Sequence, residues 1–248
     1  MWDFTADEIF DYVKANGLSG IEFWSQQMEN QNLSAERIRE LKSKFGTRLI
    51  LHGKSWDLNL ASINKNIRDL SVAEMVRDID LAGEISAQEL TIHPGRFSVN
   101  QDPESYYGFL RESLDQILDY ASQREVPISI EIMEKANKEF IVDMASLKKL
   151  LGDDYGKVQV TLDVSHCDST EEIYFLLDHL EEISKVHLSN RLKDSYHSPL
   201  DRGIFPMTEI IRAIAKREIP MVLEGMETGN TLFFLDRNIK FLKENNLL

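Results

Sequence analysis

Apolar and β-branched residues collect along the chain in seven short runs, at 20–24, 48–52, 89–93, 128–131, 158–163, 185–188 and 221–224. Each run is too short for an amphipathic helix and reads as a strand buried in a parallel sheet. The stretches between them carry helical periodicity with ordinary punctuation. Thr5-Ala6-Asp7-Glu8 reads as a capping box that opens a helix ending at Asn16-Gly17. Asp102-Pro103 opens another that runs toward Arg124, after which Val126-Pro127 launches the next strand. Ser169-Thr170-Glu171-Glu172 and Phe205-Pro206 open two later helices. Strict alternation of strand and helix predicts right-handed βαβ repeats. No low-complexity or Gly/Ser/Pro-rich linker interrupts it, so residues 1–248 are expected to form a single domain.

The fold class expected from this pattern is α/β, a TIM-type (β/α)8 barrel. Eight strands close such a barrel, and only seven are visible. The chain opens on a loop and the capping box, where a first strand should stand. Either the barrel is incomplete, with an open edge between the first and last visible strands, or the start lies downstream of the true one. An open edge invites pairing, so a homodimer contact or cover by the N-terminal residues is expected there.

Composition narrows the class further. A chain of 248 residues, 42% hydrophobic and 28% charged, has the size of one barrel and enough apolar content for a core. Its single cysteine, Cys167, excludes an internal disulfide, is expected to be an inert thiol, and fits a reducing, cytoplasmic location. No signal peptide and no apolar run long enough to span a bilayer can be read. The net charge of −14 opposes nucleic acid and anionic membranes at long range, which favours a small metabolite and disfavours DNA without excluding it.

The predicted strand ends then supply the chemistry. They are His52, His93, Glu131, Asp163, His187 and Glu224. Asp, Glu and His make up about one residue in five of the chain, so six such endings among seven strands exceed chance. Strand C-termini of α/β barrels converge on one mouth, where active sites are built. His166 and His197 follow just beyond strand ends, while His179 falls mid-helix and reads as a surface residue. Several carboxylates in one pocket need a countercharge, and a mixed imidazole–carboxylate set suits zinc or manganese. The plainer alternative is an ion-pair network, with His52 and His93 as neutral hydrogen-bonding groups.

The 20–24 run, His52-Gly53 followed by Asp57-Leu58-Asn59-Leu60-Ala61-Ser62, and Thr91-Ile92-His93-Pro94-Gly95-Arg96 carry a wider resemblance. With Leu162-Asp163-Val164-Ser165-His166, Val186-His187-Leu188-Ser189 and Leu223-Glu224, they resemble the xylose isomerase-like barrel superfamily. That superfamily contains sugar isomerases and epimerases together with endonuclease IV. The resemblance implies that Glu131, Asp163, His187 and Glu224 hold a single divalent metal. Glu131 and Glu224 would then be catalytic, moving a carbon-bound proton by way of an enediolate. It also implies His52, His93, His166 and His197 as added ligands of a three-zinc site, so one to three ions are expected. Where endonuclease IV has an aspartate two residues before the last of these histidines, this chain has Ser195, and the adjacent Asp194 would point elsewhere.

Trp24, Arg96, His166 and Arg202 are candidate substrate contacts. The tryptophan would stack on a sugar face and the arginines would grip a phosphate, although packing and solvation are their plainer roles. The favoured expectation is a metal-dependent isomerase or epimerase of a small sugar or sugar phosphate. The alternative is an endonuclease IV-like zinc phosphodiesterase acting on abasic-site DNA, and a non-catalytic metal or ligand sensor stands third.

Overall fold

Thr5 and Glu8 close a reciprocal capping box on the first helix, α1 (Ala6–Ala15), which ends at Asn16 ahead of a left-handed Gly17. From there strand and helix alternate. Strand β1 (Gly20–Trp24) runs directly into α2 (Ser25–Asn30), α3 (Ala35–Phe45) leads to β2 (Arg48–His52), and α4 (Lys65–Ile85) to β3 (Leu90–Ile92). Helix α5 (Pro103–Gln123) leads to β4 (Ile128–Ile132), α6 (Met144–Leu151) to β5 (Gln159–Asp163), and α7 (Thr170–His179) to β6 (Ile183–Leu188). A hairpin, β7 (Asn190–Leu192) and β8 (Ser195–Ser198), precedes α8 (Met207–Ala215), β9 (Met221–Leu223) and α9 (Phe233–Glu244). The computed structural model describes residues 1–99, 103–136, 138–229 and 231–248. Asp102, expected to open α5, lies outside the described residues.

Seven strands pair in parallel in the order β1-β2-β3-β4-β5-β6-β9, a nearly closed TIM-type barrel flanked by helices. Some boundaries differ from the sequence pattern. Strand β3 is shorter than its apolar run, so His93 lies just past it, and β6 begins two residues earlier than expected. Glu224 follows β9, yet its N–H still donates to the Leu188 carbonyl at 3.0 Å. The hairpin was not expected, because its sequence holds no apolar run.

The strands alternate more sharply than their apolar character suggests. On β4, β5 and β6 the residues Ile130, Val160, Leu162 and Val186 are fully buried in the core with helix residues such as Phe10, Leu110 and Ile210. Each such side chain contributes about 1.5–3 kcal/mol by leaving water. The intervening positions are polar and meet one another inside the barrel. Ser129 and Thr161 hydroxyls hydrogen-bond at 2.7 Å, Thr91 donates to Glu22 at 2.7 Å, and Lys185 donates to Glu89 at 2.6 Å. The lumen therefore carries a buried polar column that rises toward the mouth.

Among the described residues no strand pairs with the free sides of β1 and β9. The outer layer bridges this gap: on α1, Tyr12 donates to Asp236 of α9 at 2.7 Å, and Lys243 of α9 donates to Asn16 at 3.1 Å. At the mouth, Gln27 donates to the carbonyls of Met1 and Trp2, and Asp3 accepts the Gly229 N–H. The N-terminal residues thus reach from the β1 side to the loop after β9, the cover expected for this edge. Among the described residues no helix is long and apolar enough to cross a membrane.

Candidate metal centre

Glu131 stands at the centre of the mouth, fully buried near the end of β4. Its two oxygens face different partners. Oε2 lies 3.4 Å from His52 Nε2 and 3.3 Å from His93 Nε2, whereas Oε1 lies 3.6 Å from His166 Nδ1 and 3.8 Å from His187 Nδ1. Asp163 ends β5, and its Oδ1 accepts the Ser165 N–H at 2.6 Å, turning the chain into a short 3-10 turn over Val164–His166. That leaves Oδ2 facing His166 Nε2 at 3.7 Å and His197 Nδ1 at 3.8 Å. His187 Nδ1 and Glu224 Oε2 approach to 2.6 Å without the alignment of a hydrogen bond.

Three groups of possible ligands result: His52, His93 and Glu131; Asp163, His166 and His197; and Glu131, Asp163, His187 and Glu224. In each, the ligand atoms lie within 4.8 Å of one another. Glu131 and Asp163 each belong to two groups, so the three adjoin. All eight metal candidates from the sequence therefore come together.

Whether a cation fits here is decided by unsatisfied atoms. Glu131 Oε2, Asp163 Oδ2, His187 Nδ1 and Glu224 Oε2 are all buried with no hydrogen-bond partner. Buried polar atoms are rarely left unpaired, since each costs about 1–3 kcal/mol. Four such atoms come one from each member of the central quartet. His187 Nδ1 and Glu224 Oε2 face each other, Glu131 Oε2 turns to His52 and His93, and Asp163 Oδ2 turns to His166 and His197. Acceptors are thus left bare in all three groups, as divalent cations require. The surrounding histidines are set up to match. His52 Nδ1 hydrogen-bonds the Gly53 carbonyl at 2.8 Å and His166 Nδ1 the Ile132 carbonyl at 2.9 Å. Each bond commits one ring nitrogen as donor and leaves Nε2 facing the cluster.

Without a cation the electrostatics are strained in both directions. Burial raises the Asp163 carboxyl to about 6, helped by Glu224 and resisted by His166 and His197. Burial opposes ionisation of Glu131 as well, but His187, His52 and His93 hold it well below the usual carboxylate range. The same carboxylates lift His166 to about 9 and His187 well above an ordinary imidazole, against burial.

His197 sits on β8 with a left-handed backbone, φ 54°, and its Nδ1 meets Ser189 Oγ at 3.1 Å and Ser165 Oγ at 3.3 Å. Asp194 and Ser195 are exposed at the hairpin turn, so the group containing His197 takes its carboxylate from Asp163. Gly95, at φ 90°, closes the loop after His93: a Cβ there would lie 2.8 Å from both Ala61 N and Asn59 Oδ1. Asn59 in turn accepts the Ala61 and Arg96 N–H groups, locking two mouth loops together.

The substrate candidates are less gathered. Trp24 donates its Nε1–H to the Gly53 carbonyl at 3.1 Å and lies edge-on to Trp2 and Trp56, so packing is the role seen. Arg96 is exposed and its backbone pairs antiparallel with that of Glu139, whose half-buried carboxyl burial and Glu134 push up to about 7 despite Arg96 and His166. Arg202 is exposed in the turn after β8, where its carbonyl accepts from Ser198 Oγ. His179 ends α7, exposed and stacked on Phe175. Burial pushes the Cys167 thiol well up, as befits an inert group. Sequence reasoning missed Glu22 on β1, whose Oε2 lies 2.9 Å from His187 Nε2. Its signal was a lone charge inside the apolar 20–24 run.

The model of a family described as xylose isomerase-like TIM barrel matches residues 10–244. An uncharacterized protein of Methanocaldococcus jannaschii is 25% identical over 218 residues, spanning 86% of this chain and 80% of that protein. Among solved structures, a D-tagatose 3-epimerase-like protein superposes with a TM-score of 0.79 at 20% identity, covering 92% of this chain and 88% of that one. Endonuclease IV from Thermus thermophilus superposes with a TM-score of 0.76 at 20% identity, covering 96% of this chain and 94% of that one. At this identity the structural likenesses show a shared fold.

Proposed function

The chain belongs to the xylose isomerase-like TIM barrel family, and from that premise we propose that it is a divalent-metal enzyme hydrolysing a phosphate ester at two or three adjacent ions. One observation carries this reading: Glu131 presents one oxygen to His52 and His93 and the other toward His187. An isomerase built on one ion needs only the central quartet. The His52–His93–Glu131 group adds a complete neighbouring set, which reverses the order of preference drawn from sequence.

Zinc or manganese bound there would supply Lewis acidity and neutralise charge for attack of water on phosphorus. Glu131 and Asp163 would hold adjacent ions together, and the neutral imidazoles would complete each set. The new bond joins the water oxygen to phosphorus as the ester P–O bond breaks; the attacking water gives up one proton to solvent, and the departing oxygen takes one. Glu139 suits that last task, because burial and Glu134 push its half-buried carboxyl up to about 7, the range in which a general acid works at neutral pH. Arg96 lies beside it for a phosphate oxygen. The net charge of −14 favours a small phosphate ester, with abasic-site DNA as the second substrate to try.

A mononuclear sugar isomerase or epimerase is the second reading, supported by the complete quartet and by Ser195 in place of a hairpin carboxylate. Glu131 and Glu224 would then exchange the carbon-bound proton. Elemental analysis of the purified chain, paired with phosphate-ester and abasic-duplex cleavage assays, separates the two. Two or more ions per chain with hydrolysis are expected. A single exchangeable ion with ketose epimerisation and no hydrolysis would establish the second reading instead.

A further inference from the structure

Glu22 lies in the middle of β1, nearly buried, and both its oxygens are engaged inside the barrel. Oε2 lies 2.9 Å from His187 Nε2, and Oε1 accepts the Thr91 hydroxyl at 2.7 Å. Lys185 Nζ, fully buried, stands 3.9 Å from Oε1 and donates to Glu89 at 2.6 Å. None of the three ligand groups includes Glu22. It reaches across the lumen from the first strand to the sixth and touches the quartet only through the far side of one ring.

An imidazole that donates one N–H to a carboxylate offers the other nitrogen as a lone pair. His187 Nδ1 is the nitrogen that faces Glu131 and Glu224, and it is one of the four buried atoms without a partner. The two observations interlock: the nitrogen held by Glu22 points away from the cluster, and the one left bare points into it. We infer that Glu22 is a positioning residue of the centre. It holds the His187 Nε2–H so that Nδ1 alone is offered to a cation, while Thr91 and the Lys185–Glu89 pair hold Glu22 in place. This rests on the metal reading above.

A purely structural Glu22 would serve only as countercharge to Lys185, and cobalt distinguishes the two roles. The full chain is loaded with Co2+. Affinity is read by chelator competition, ligand field by visible absorption, and the buried His187 N–H by its paramagnetically shifted proton resonance. Glu22→Ala should weaken Co2+ binding about 10- to 100-fold, alter the absorption bands and lose the shifted N–H resonance to solvent exchange. Circular dichroism should stay unchanged. Glu22→Gln keeps an acceptor oxygen without the charge, and should weaken binding about tenfold while moving that resonance. If Glu22→Ala does not fold, the isosteric Glu22→Gln decides alone. Wild-type affinity and spectrum in the variants would overturn the role of Glu22 and leave the metal reading standing. No Co2+ uptake by the wild-type chain would overturn the metal reading itself.

Discussion

The histidines of the mouth are held by backbone carbonyls and by neighbouring carboxylates, and this has a measurable consequence in protons. Asp163 and Glu131 push His166 up to about 9, and His187 is raised well above its ordinary range by Glu224, Glu22 and Glu131, both against the cost of burial. A ring nitrogen must be bare to bind a cation. Both rings hold an extra proton at neutral pH that a cation has to displace, so metal affinity should rise as pH increases above 7. Calorimetry of Zn2+ binding at pH 7, in buffers with different heats of ionisation, should show at least one proton released per chain. Uptake with no proton release would contradict the charge state drawn for these rings. At this scale the sequence was informative wherever a charged or imidazole group ended an apolar run, which is how His52, Glu131, Asp163 and Glu224 were found. Glu22 escaped because it sits two positions before the end of its strand, where only the third dimension shows it crossing to His187.

Among the elements, the β7–β8 hairpin does most to complete the Asp163–His166–His197 group, and a buried asparagine fastens it. Asn190 Nδ2 donates to the carbonyls of Leu200 and Phe205 at 3.1 Å, and its Oδ1 accepts the Arg191 and Phe205 N–H groups. Gly203 packs against that amide so closely that a Cβ would fall 2.2 Å from Oδ1. Gly203→Ala should therefore displace Asn190, cost about 1–3 kcal/mol of stability by overpacking, and shift His197 away from Asp163 and His166. Metal analysis should then show loss of the ion bound by that group, with the quartet still filled. Full metal content with an unchanged melting temperature would show that the hairpin is not what places His197. The barrel strands were legible because β-branched residues recur at intervals a helix can bridge. The hairpin was not, since polar residues held by side-chain amides leave no periodic trace.

For the whole molecule, the decisive feature is a barrel whose first and last paired strands, β1 and β9, do not meet among the described residues. The sequence showed this through its count of seven apolar runs, while the contacts that offset it, Tyr12 with Asp236 and Lys243 with Asn16, join surface residues that no pattern singles out. Strands with one unpaired side open more readily than central ones. Backbone amide exchange should accordingly be faster in β1 and β9 than in β4 and β5. Uniform protection across all seven strands would mean that the helix contacts and the N-terminal cover close the barrel as firmly as an eighth strand.

The quartet lies beside that same gap: Glu224 follows β9 on one lip, Glu22, itself outside the ligand groups, projects from β1 on the other, and His187 of β6 contacts both. A cation drawn to Glu224 and His187 would therefore act as a rivet beside the barrel's weakest seam, tying its last strand to the interior. By mass action, whatever binds only the folded form adds to its stability, so the chain's lifetime in a cell should follow the supply of metal. Under metal starvation the seam would be the first place to open, and proteolytic clearance would remove the barrel before its activity could be counted as lost.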